Sequence, residues 1–336
     1  MRKLSLGEIR AMPATDVVSG LRGRQFSLLQ SLGFHKMRAE MNFTGFVCRA
    51  IIAMTGLSKE PSPDDPHIMN LKSRGRQRVV RILDKAAPCS MKGYFQHLEC
   101  GMVVGFNHPS LGEILRFIRI CAEKFGSRIN LFPVNLPWYE AIMPIVHDLE
   151  KIGVYVMPVI TPSTKRKMAK KANTETMAVV EDLSTALNGL YLQKCAEFIK
   201  NNDNIWVAPT ATRQKTVFKS RECRDGLERI EPQTMTLLAL YLRRNHIKEC
   251  TFQVVGVVPP GGFKRGLNLF GKYRMGIGDA ISMDVVNEKC RNQMPCTGSE
   301  FEYDFLTRIA RVVKELDNDK LEGENLKIII PEETET

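Results

Sequence analysis

His108 and Glu113 are the residues whose types and spacing best suit acid–base chemistry. The apolar segment 102–106 leads into the histidine, and the carboxylate follows five residues after it. A neutral imidazole can accept the proton of an attacking hydroxyl, while a nearby carboxylate fixes its tautomer and stabilises the imidazolium that forms. The pair is therefore a candidate general base with its orienting partner. The alternative is a capping or buried structural histidine.

The other histidines show why this spacing alone is a weak signal. His35 and Glu40 repeat the five-residue spacing, but they lie within a helical pattern that no strand precedes, which predicts a structural role. His97, His147 and His246 lack the spacing of metal ligands, so we interpret them as structural and predict no metal site. What distinguishes the candidate histidine is its position at the end of an apolar run.

The elements that must position this pair follow from an alternation of short apolar runs with longer amphipathic stretches, which is typical of βα units around a largely parallel sheet. The predicted strands are 102–106, 129–134, 154–160, 205–208 and 252–258. The predicted helices are 111–125, 138–151, 175–200, 232–246 and a final one over 301–316. The predicted fold class is α/β, with a largely parallel central sheet flanked by helices. A strand end before a helix start is where open α/β sheets place their sites.

A helical region precedes this pattern. Residues 20–57 have the pattern of one or two helices, the proline-rich stretch 58–66 interrupts it, and the basic stretch 72–83 is again compatible with a helix. We place the boundary near residues 88–98. The prediction is a helical N-terminal region over residues 1–95 and an α/β domain over residues 96–330.

The segment Asn107-His108, followed by Glu113, resembles a block of the glycerolipid acyltransferase family. It is similar to the His-x-x-x-x-Asp block of glycerol-3-phosphate and lysophosphatidate acyltransferases, with glutamate in place of aspartate. Three further stretches resemble the family in the same order along the chain: 165–174, 204–213 and 254–259. The likeness extends over residues 95–265 and is closest to the soluble plastid-type glycerol-3-phosphate acyltransferases.

The resemblance implies an acyltransferase-like α/β fold and an O-acyltransferase activity. A fatty acyl group would move directly from an acyl thioester to a hydroxyl of glycerol 3-phosphate or a lysophospholipid, with His108 as general base and Glu113 as its orienting partner. The resemblance also implies cationic ligands for the acceptor's phosphate, namely Arg213, Lys215, Lys165 and Arg166. Fixed cationic donors suit a phosphomonoester. The alternatives are an ordinary surface arginine at position 213 and a solvated helix start at 165–171.

The implied donor is acyl carrier protein or acyl-coenzyme A, which acts as a co-substrate, and no cofactor is expected. The implied acceptor is a phosphorylated glycerol or a lysolipid. The block around residues 209–213 lacks the glutamate-glycine or paired glycines common in relatives. An alternative is therefore a catalytically degenerate relative that binds lipid or an acyl carrier without turnover.

The chain is basic, with 48 Lys and Arg against 37 Asp and Glu and a net charge of +11. Such a balance favours anionic partners, among them phosphates, acidic carrier proteins, anionic membrane surfaces and nucleic acid. The basic cluster at 72–81 motivates a nucleic-acid-binding protein as a further alternative. Aromatic residues make up only 7% of the chain and few lie near the basic runs. Single-strand-binding surfaces interleave the two types, so we expect no nucleic-acid partner.

The start of the chain has no continuous apolar core of the signal-peptide type. The most apolar window, 41–57, is interrupted by Asn42 and Arg49 and falls short of the roughly 20 apolar residues that span a bilayer. The nine cysteines include no Cys-x-x-Cys, which indicates reduced thiols, and Cys121 and Cys195 are expected to pack as small apolar residues. We expect a cytoplasmic protein whose membrane contact, if any, is peripheral.

Overall fold

The computed structural model describes residues 35–59, 73–109, 112–125, 128–162, 164–165, 174–209, 234–260, 269–291 and 300–316. Backbone contacts divide the chain into two compact units, each assembled from two stretches. The first unit is Met1–Ile82 with Ile118–Ile205, and the second unit is Leu83–Phe117 with Trp206–Thr336. The boundary predicted near residue 95 stays a prediction.

Seven strands are described, and neighbours in the sheet are mostly parallel. They are β1 (Cys89–Lys92), β2 (Gly101–Phe106), β3 (Asn130–Asn135), β4 (Val154–Val159), β5 (Asn204–Val207), β6 (Cys250–Val258) and β7 (Tyr273–Ser282). Their order is β1-β7-β6-β2-β5-β3-β4. The pairs β1–β7, β2–β6, β3–β4 and β3–β5 are parallel, and β6–β7 is antiparallel. The predicted fold class, α/β with a largely parallel sheet flanked by helices, is confirmed.

The described helices are α1 (His35–Thr55), α2 (Ser73–Ala86), α3 (Glu113–Lys124), α4 (Leu136–Ile142), α5 (Val146–Glu150), α6 (Thr174–Lys200), α7 (Thr234–Arg244), α8 (Met283–Arg291) and α9 (Glu300–Leu316). Short 3₁₀ turns lie at Leu57–Lys59 and Met143–Ile145. No helix in the described ranges is both long enough and apolar enough to cross a membrane.

In the first unit, α1 packs on α4 and α6 packs on β3 and β4. Gly45 permits the close approach of α1, because an added Cβ would lie 2.7 Å from the carbonyl oxygen of Ala141. The Arg49 guanidinium donates to that same oxygen at 3.0 Å. One face of α1 is therefore fixed to the unit, while Phe43, Phe46 and Met54 on another face are exposed.

In the second unit, α9 packs closely on β6 and β7 because glycines face it. An added Cβ at Gly256 would lie 2.7 Å from Val312, and one at Gly278 would lie 2.8 Å from the same side chain. At Gly105 in β2 an added Cβ would overlap the ring of Phe305. All six residues of β2 and all nine of β6 are buried. The strand that leads to His108 is thus paired with a buried strand and packed closely against Phe305.

Some predicted elements differ from the structure. The predicted helix 138–151 is broken into α4, a 3₁₀ turn and α5, because Pro144 lies in the turn and proline does not fit a helix interior. The strands β1 and β7 and the helix α8 are absent from the prediction. β7 contains Gly276 and Gly278 and shows no regular alternation of buried and exposed residues, so it lacks the period of a strand.

Candidate active site

The candidate site begins with Asn107, which continues β2 and is 3% exposed. Its Nδ2 donates to the Val257 carbonyl oxygen at 2.8 Å, and its Oδ1 accepts from the Val257 N–H at 2.7 Å. This two-way contact with the end of β6 replaces the backbone pairing that stops at Phe106. The residue immediately before His108 is therefore held in one orientation.

His108 follows this anchor and contacts Glu113, the first residue of α3. The hydrogen bond joins His108 Nδ1 to Glu113 Oε1. A carboxylate oxygen can only accept, so Nδ1 carries the hydrogen, and in the neutral form of the imidazole Nε2 then presents its lone pair. The Glu113 side chain is 0% exposed and that of His108 is 21% exposed. The arrangement gives a partly solvent-accessible imidazole in contact with a buried carboxylate.

Glutamate at position 113 reaches the imidazole, although its side chain is one methylene longer than the aspartate of the family block. Its place at the start of α3 also suits a negative charge, because the positive end of the helix dipole lies there. The structure thus brings together the two predicted catalytic residues. Their roles stay predictions.

An aromatic cluster of the second unit supports the strand behind the site. The rings of Phe106 and Phe117 lie 4.5 Å apart, and those of Phe117 and Trp206 lie 4.9 Å apart. Phe95 extends the cluster at 6.0 Å from Trp206, which is fully buried. Rings at such distances pack favourably and leave little room for the backbone of β2 to move.

The predicted phosphate ligands are described only in part. Arg213, Lys215 and Arg166 lie outside the described residues, so their placement is a prediction still. Lys165 is described, and its Nζ contacts the carboxylate of Glu181. A phosphate would therefore have to share or displace that carboxylate. The predicted helix start Pro232 also lies outside the described residues.

The buried cysteines are poor nucleophiles. Burial raises the pKa of the Cys48 thiol to about 11. It also raises the pKa values of Cys121, Cys195 and Cys250 well above the usual range. Because the thiolate is the reactive form, these four side chains are inert near neutral pH. Cys121 and Cys195 are fully buried as predicted.

Asn107 was not predicted from the sequence to support the site, although an amide at the end of a buried strand must satisfy its polar atoms. Within the described ranges, no group of three or more His, Cys, Asp or Glu side chains is placed to hold a metal ion.

Comparison with known proteins gives a limited likeness. The sequence matches no protein-family model and no curated protein. The structure is similar to a crystal structure of the 1-acyl-sn-glycerophosphate acyltransferase of Thermotoga maritima, with a TM-score of 0.38 and 12% sequence identity. The match covers 89% of this chain and 99% of that protein. At this identity and TM-score it does not establish the family of this chain.

Proposed function

We propose that this chain is an O-acyltransferase that moves a fatty acyl group from an acyl thioester to a hydroxyl of glycerol 3-phosphate or a lysophospholipid. The observation that carries the proposal is the hydrogen bond between His108 Nδ1 and the buried carboxylate of Glu113. It orients the imidazole so that Nε2 is available to an incoming hydroxyl. The resemblance of the surrounding sequence block to acyltransferases supplies the reaction class.

In the proposed reaction, the acceptor hydroxyl gives its proton to Nε2 of His108 while its oxygen attacks the thioester carbonyl carbon. Glu113 stabilises the imidazolium that forms. When the tetrahedral intermediate collapses, the carbon–sulfur bond breaks, and the imidazolium returns the proton to the leaving thiolate. The products are an ester and a free thiol, and no residue of the chain carries the acyl group.

The negative oxygen of the tetrahedral intermediate needs donors already in place. We propose the backbone N–H groups of the first turn of α3, which begins at Glu113. The N–H groups of the first turn point towards the N-terminal end of a helix, and the helix dipole favours negative charge at that end. The same turn would then supply both the orienting carboxylate and the oxyanion donors.

The acceptor's phosphate requires cations, and we propose Arg213 and Lys215 as its principal ligands, with Lys165 and Arg166 completing the pocket. A planar guanidinium can bind a phosphate in bidentate fashion. Arg213→Ala should raise the KM for glycerol 3-phosphate about 10- to 10²-fold, since a charge-assisted hydrogen bond contributes about 1.5–3 kcal/mol. An unchanged KM would remove Arg213 from this role.

We also propose peripheral contact with anionic membrane through α1. Phe43, Phe46 and Met54 are 50%, 62% and 61% exposed, and their spacing places them on one face of the helix. An apolar helix face on a protein with a net charge of +11 suits the boundary of an anionic bilayer. The acyl donor, acyl carrier protein or acyl-coenzyme A, would reach the enzyme from water.

The decisive experiment measures acyl transfer from a labelled long-chain thioester to glycerol 3-phosphate. His108→Ala should lower the rate at least about 10²-fold, because it removes the general base. The matched control is His147→Ala, which removes an exposed histidine that also contacts a glutamate, Glu150. Its rate should equal that of the wild type.

Two other outcomes would contradict the proposal. A near-normal rate in folded His108→Ala would exclude this histidine as the base. A folded wild type that binds acyl carrier protein but transfers nothing to glycerol 3-phosphate or lysophosphatidate would instead indicate a non-catalytic relative.

A further inference from the structure

Arg116 lies in the first turn of α3 and is completely buried. Its Nη1 donates to the carbonyl oxygen of Gly112 at 2.6 Å and to that of Leu269 at 2.7 Å. Its Nη2 donates to the carbonyl oxygen of Gly271 at 2.8 Å. One guanidinium thus joins the residue before Glu113 to the segment that precedes β7.

The three carbonyl oxygens are placed so that only a cation with several N–H donors in a fixed planar arrangement can bond to all of them. The Gly112 carbonyl belongs to the peptide that leads directly into Glu113. Gly271 has a φ of 97°, a left-handed conformation that favours glycine. An added Cβ at Gly271 would lie 2.8 Å from Pro260, so the segment has little freedom to adjust. The five N–H donors of arginine have a fixed planar geometry that lysine cannot reproduce.

The electrostatic surroundings keep this cation in place despite its burial. The guanidinium carbon lies 4.1 Å from the centre of the Tyr273 ring, which is a favourable position for a cation. Burial lowers the pKa of Arg116, while Tyr273, Cys89 and Glu113 act in the opposite direction. Because arginine remains protonated in proteins, a positive charge lies beside the carboxylate that orients His108.

We propose that Arg116 is a positioning residue of the His108–Glu113 pair. It holds the first turn of α3 against residues 269–271, so that the Glu113 carboxylate stays within hydrogen-bonding distance of His108 Nδ1. The consequence for catalytic rate rests on the proposed acyltransferase function. The consequence for the hydrogen bond does not, and it can be measured without any substrate.

The distinction from a merely structural role lies in what the folded variant retains. If Arg116 only stabilises the core, a variant that folds keeps the hydrogen bond between His108 and Glu113. If Arg116 positions the pair, the folded variant loses it. Misplacement of a catalytic group by about 1 Å can cost about 10²-fold in rate, so kcat should fall while the KM for the acceptor stays nearly constant.

The experiment records the proton NMR spectrum of the full chain far downfield, where an imidazole Nδ1–H bonded to a carboxylate is expected. The signal is assigned by its loss in His108→Ala. Arg116→Gln should abolish or shift it, with kcat lowered about 10²-fold. The matched control is Arg119→Gln on the same helix, which removes a partly buried arginine paired with Glu123 at 3.3 Å. It should leave the signal and kcat unchanged.

If Arg116→Gln does not fold, Arg116→Lys provides the test. Lysine keeps the positive charge but lacks the planar set of N–H donors. A folded Gln or Lys variant that retains the wild-type signal overturns the proposal. A signal that is present in the wild type and lost in the folded variant supports it. That result stands even if the wild type transfers no acyl group, in which case the proposed function fails and the positioning role of Arg116 remains.

Discussion

Three histidine–glutamate pairs lie in the described part of the chain, and two of them, His108–Glu113 and His147–Glu150, have very different surroundings. In each, a histidine Nδ1 contacts a glutamate oxygen, at 3.2 Å in the pair His147–Glu150. The His147 side chain is 76% exposed and Glu150 is 23% exposed. In the pair His108–Glu113 the corresponding values are 21% and 0%. The contact alone therefore does not mark a functional site.

The burial of the carboxylate decides what the histidine can do. His147 and Glu150 are three residues apart on the short helix α5, where water competes for every polar atom. Exposed pairs of this kind contribute little because solvent screens them. Glu113 is removed from water, and the imidazole it contacts follows a buried strand. Water competes less for the contact in this second arrangement, so the imidazole is held more firmly in one orientation.

The largest expected effect separates the two carboxylates. Glu113→Gln should lower acyl transfer about 10³-fold, because an amide can donate to Nδ1 and so favour the tautomer with the hydrogen on Nε2. Glu150→Gln should leave the rate unchanged. Transfer rates of both variants, measured at saturating substrate, check the prediction. Equal transfer rates in Glu113→Gln and Glu150→Gln would show that the two carboxylates do not differ in their importance for the reaction.

The positions of His108 and Glu113 could be predicted from the sequence for a physical reason. The strand β2 is an uninterrupted apolar run, and the residues after such a strand in a parallel sheet are brought to one edge. The long helices α6 and α9 have apolar periods that are readable without the fold. These elements are specified locally, so local patterns predict them.

Other features depend on partners far along the chain. Asn107 contacts Val257, and Arg116 contacts Leu269 and Gly271, across sequence separations of about 150 residues. Nothing near either residue in the sequence indicates these partners. The edge strand β1 has only four residues and is defined by its pairing with β7. Such features follow from tertiary contacts, which is why a pattern of residue types misses them.

Glu302 is a further buried carboxylate, and Thr236, one of its partners, offers neutral donors. Glu302 Oε2 accepts from the Thr236 N–H at 2.8 Å and from the Thr236 hydroxyl at 3.2 Å, near the start of α7. Burial raises the pKa of Glu302 from 4.5 to about 7, against the lowering effect of the hydrogen bonds from Thr236 and Met235. Between these values the folded chain holds a proton that the unfolded chain releases.

This proton makes stability depend on pH. The stabilisation that comes from protonated Glu302 is fully present below about pH 4.5 and is lost as pH rises to about 7. The free energy of unfolding should fall by roughly 3 kcal/mol across this window, at about 1.4 kcal/mol per pKa unit. Denaturant titrations of the wild type and Glu302→Gln check it, since the amide does not titrate. The same slope in both proteins would exclude Glu302 as its source.

The strand that leads to His108 should tolerate change less well than a helix away from the site. Gly105→Ala should lower the free energy of unfolding by about 1–3 kcal/mol, because the added Cβ overlaps the ring of Phe305. Gly189→Ala is the matched control. No heavy atom lies within 4 Å of an added Cβ there, so alanine in the interior of α6 should stabilise by about 0.5–1 kcal/mol.

Denaturant unfolding of both glycine variants gives the comparison directly. If Gly105→Ala is as stable as the wild type, β2 is not tightly packed. The rigidity assigned to the strand before His108 would then be wrong.

The smallest expected effect is the coupling energy of the exposed pair. A double-mutant cycle with His147→Ala and Glu150→Ala should give less than about 0.5 kcal/mol, because solvent screening and side-chain entropy oppose the attraction. The same cycle with His108→Ala and Glu113→Ala should give about 1–3 kcal/mol, since removal of one partner leaves a buried polar group unpaired. Unfolding free energies of the single and double variants at neutral pH supply both numbers. Coupling energies of similar size would mean that burial of Glu113 adds nothing to the contact, and the physical basis for distinguishing His108 from His147 would be lost.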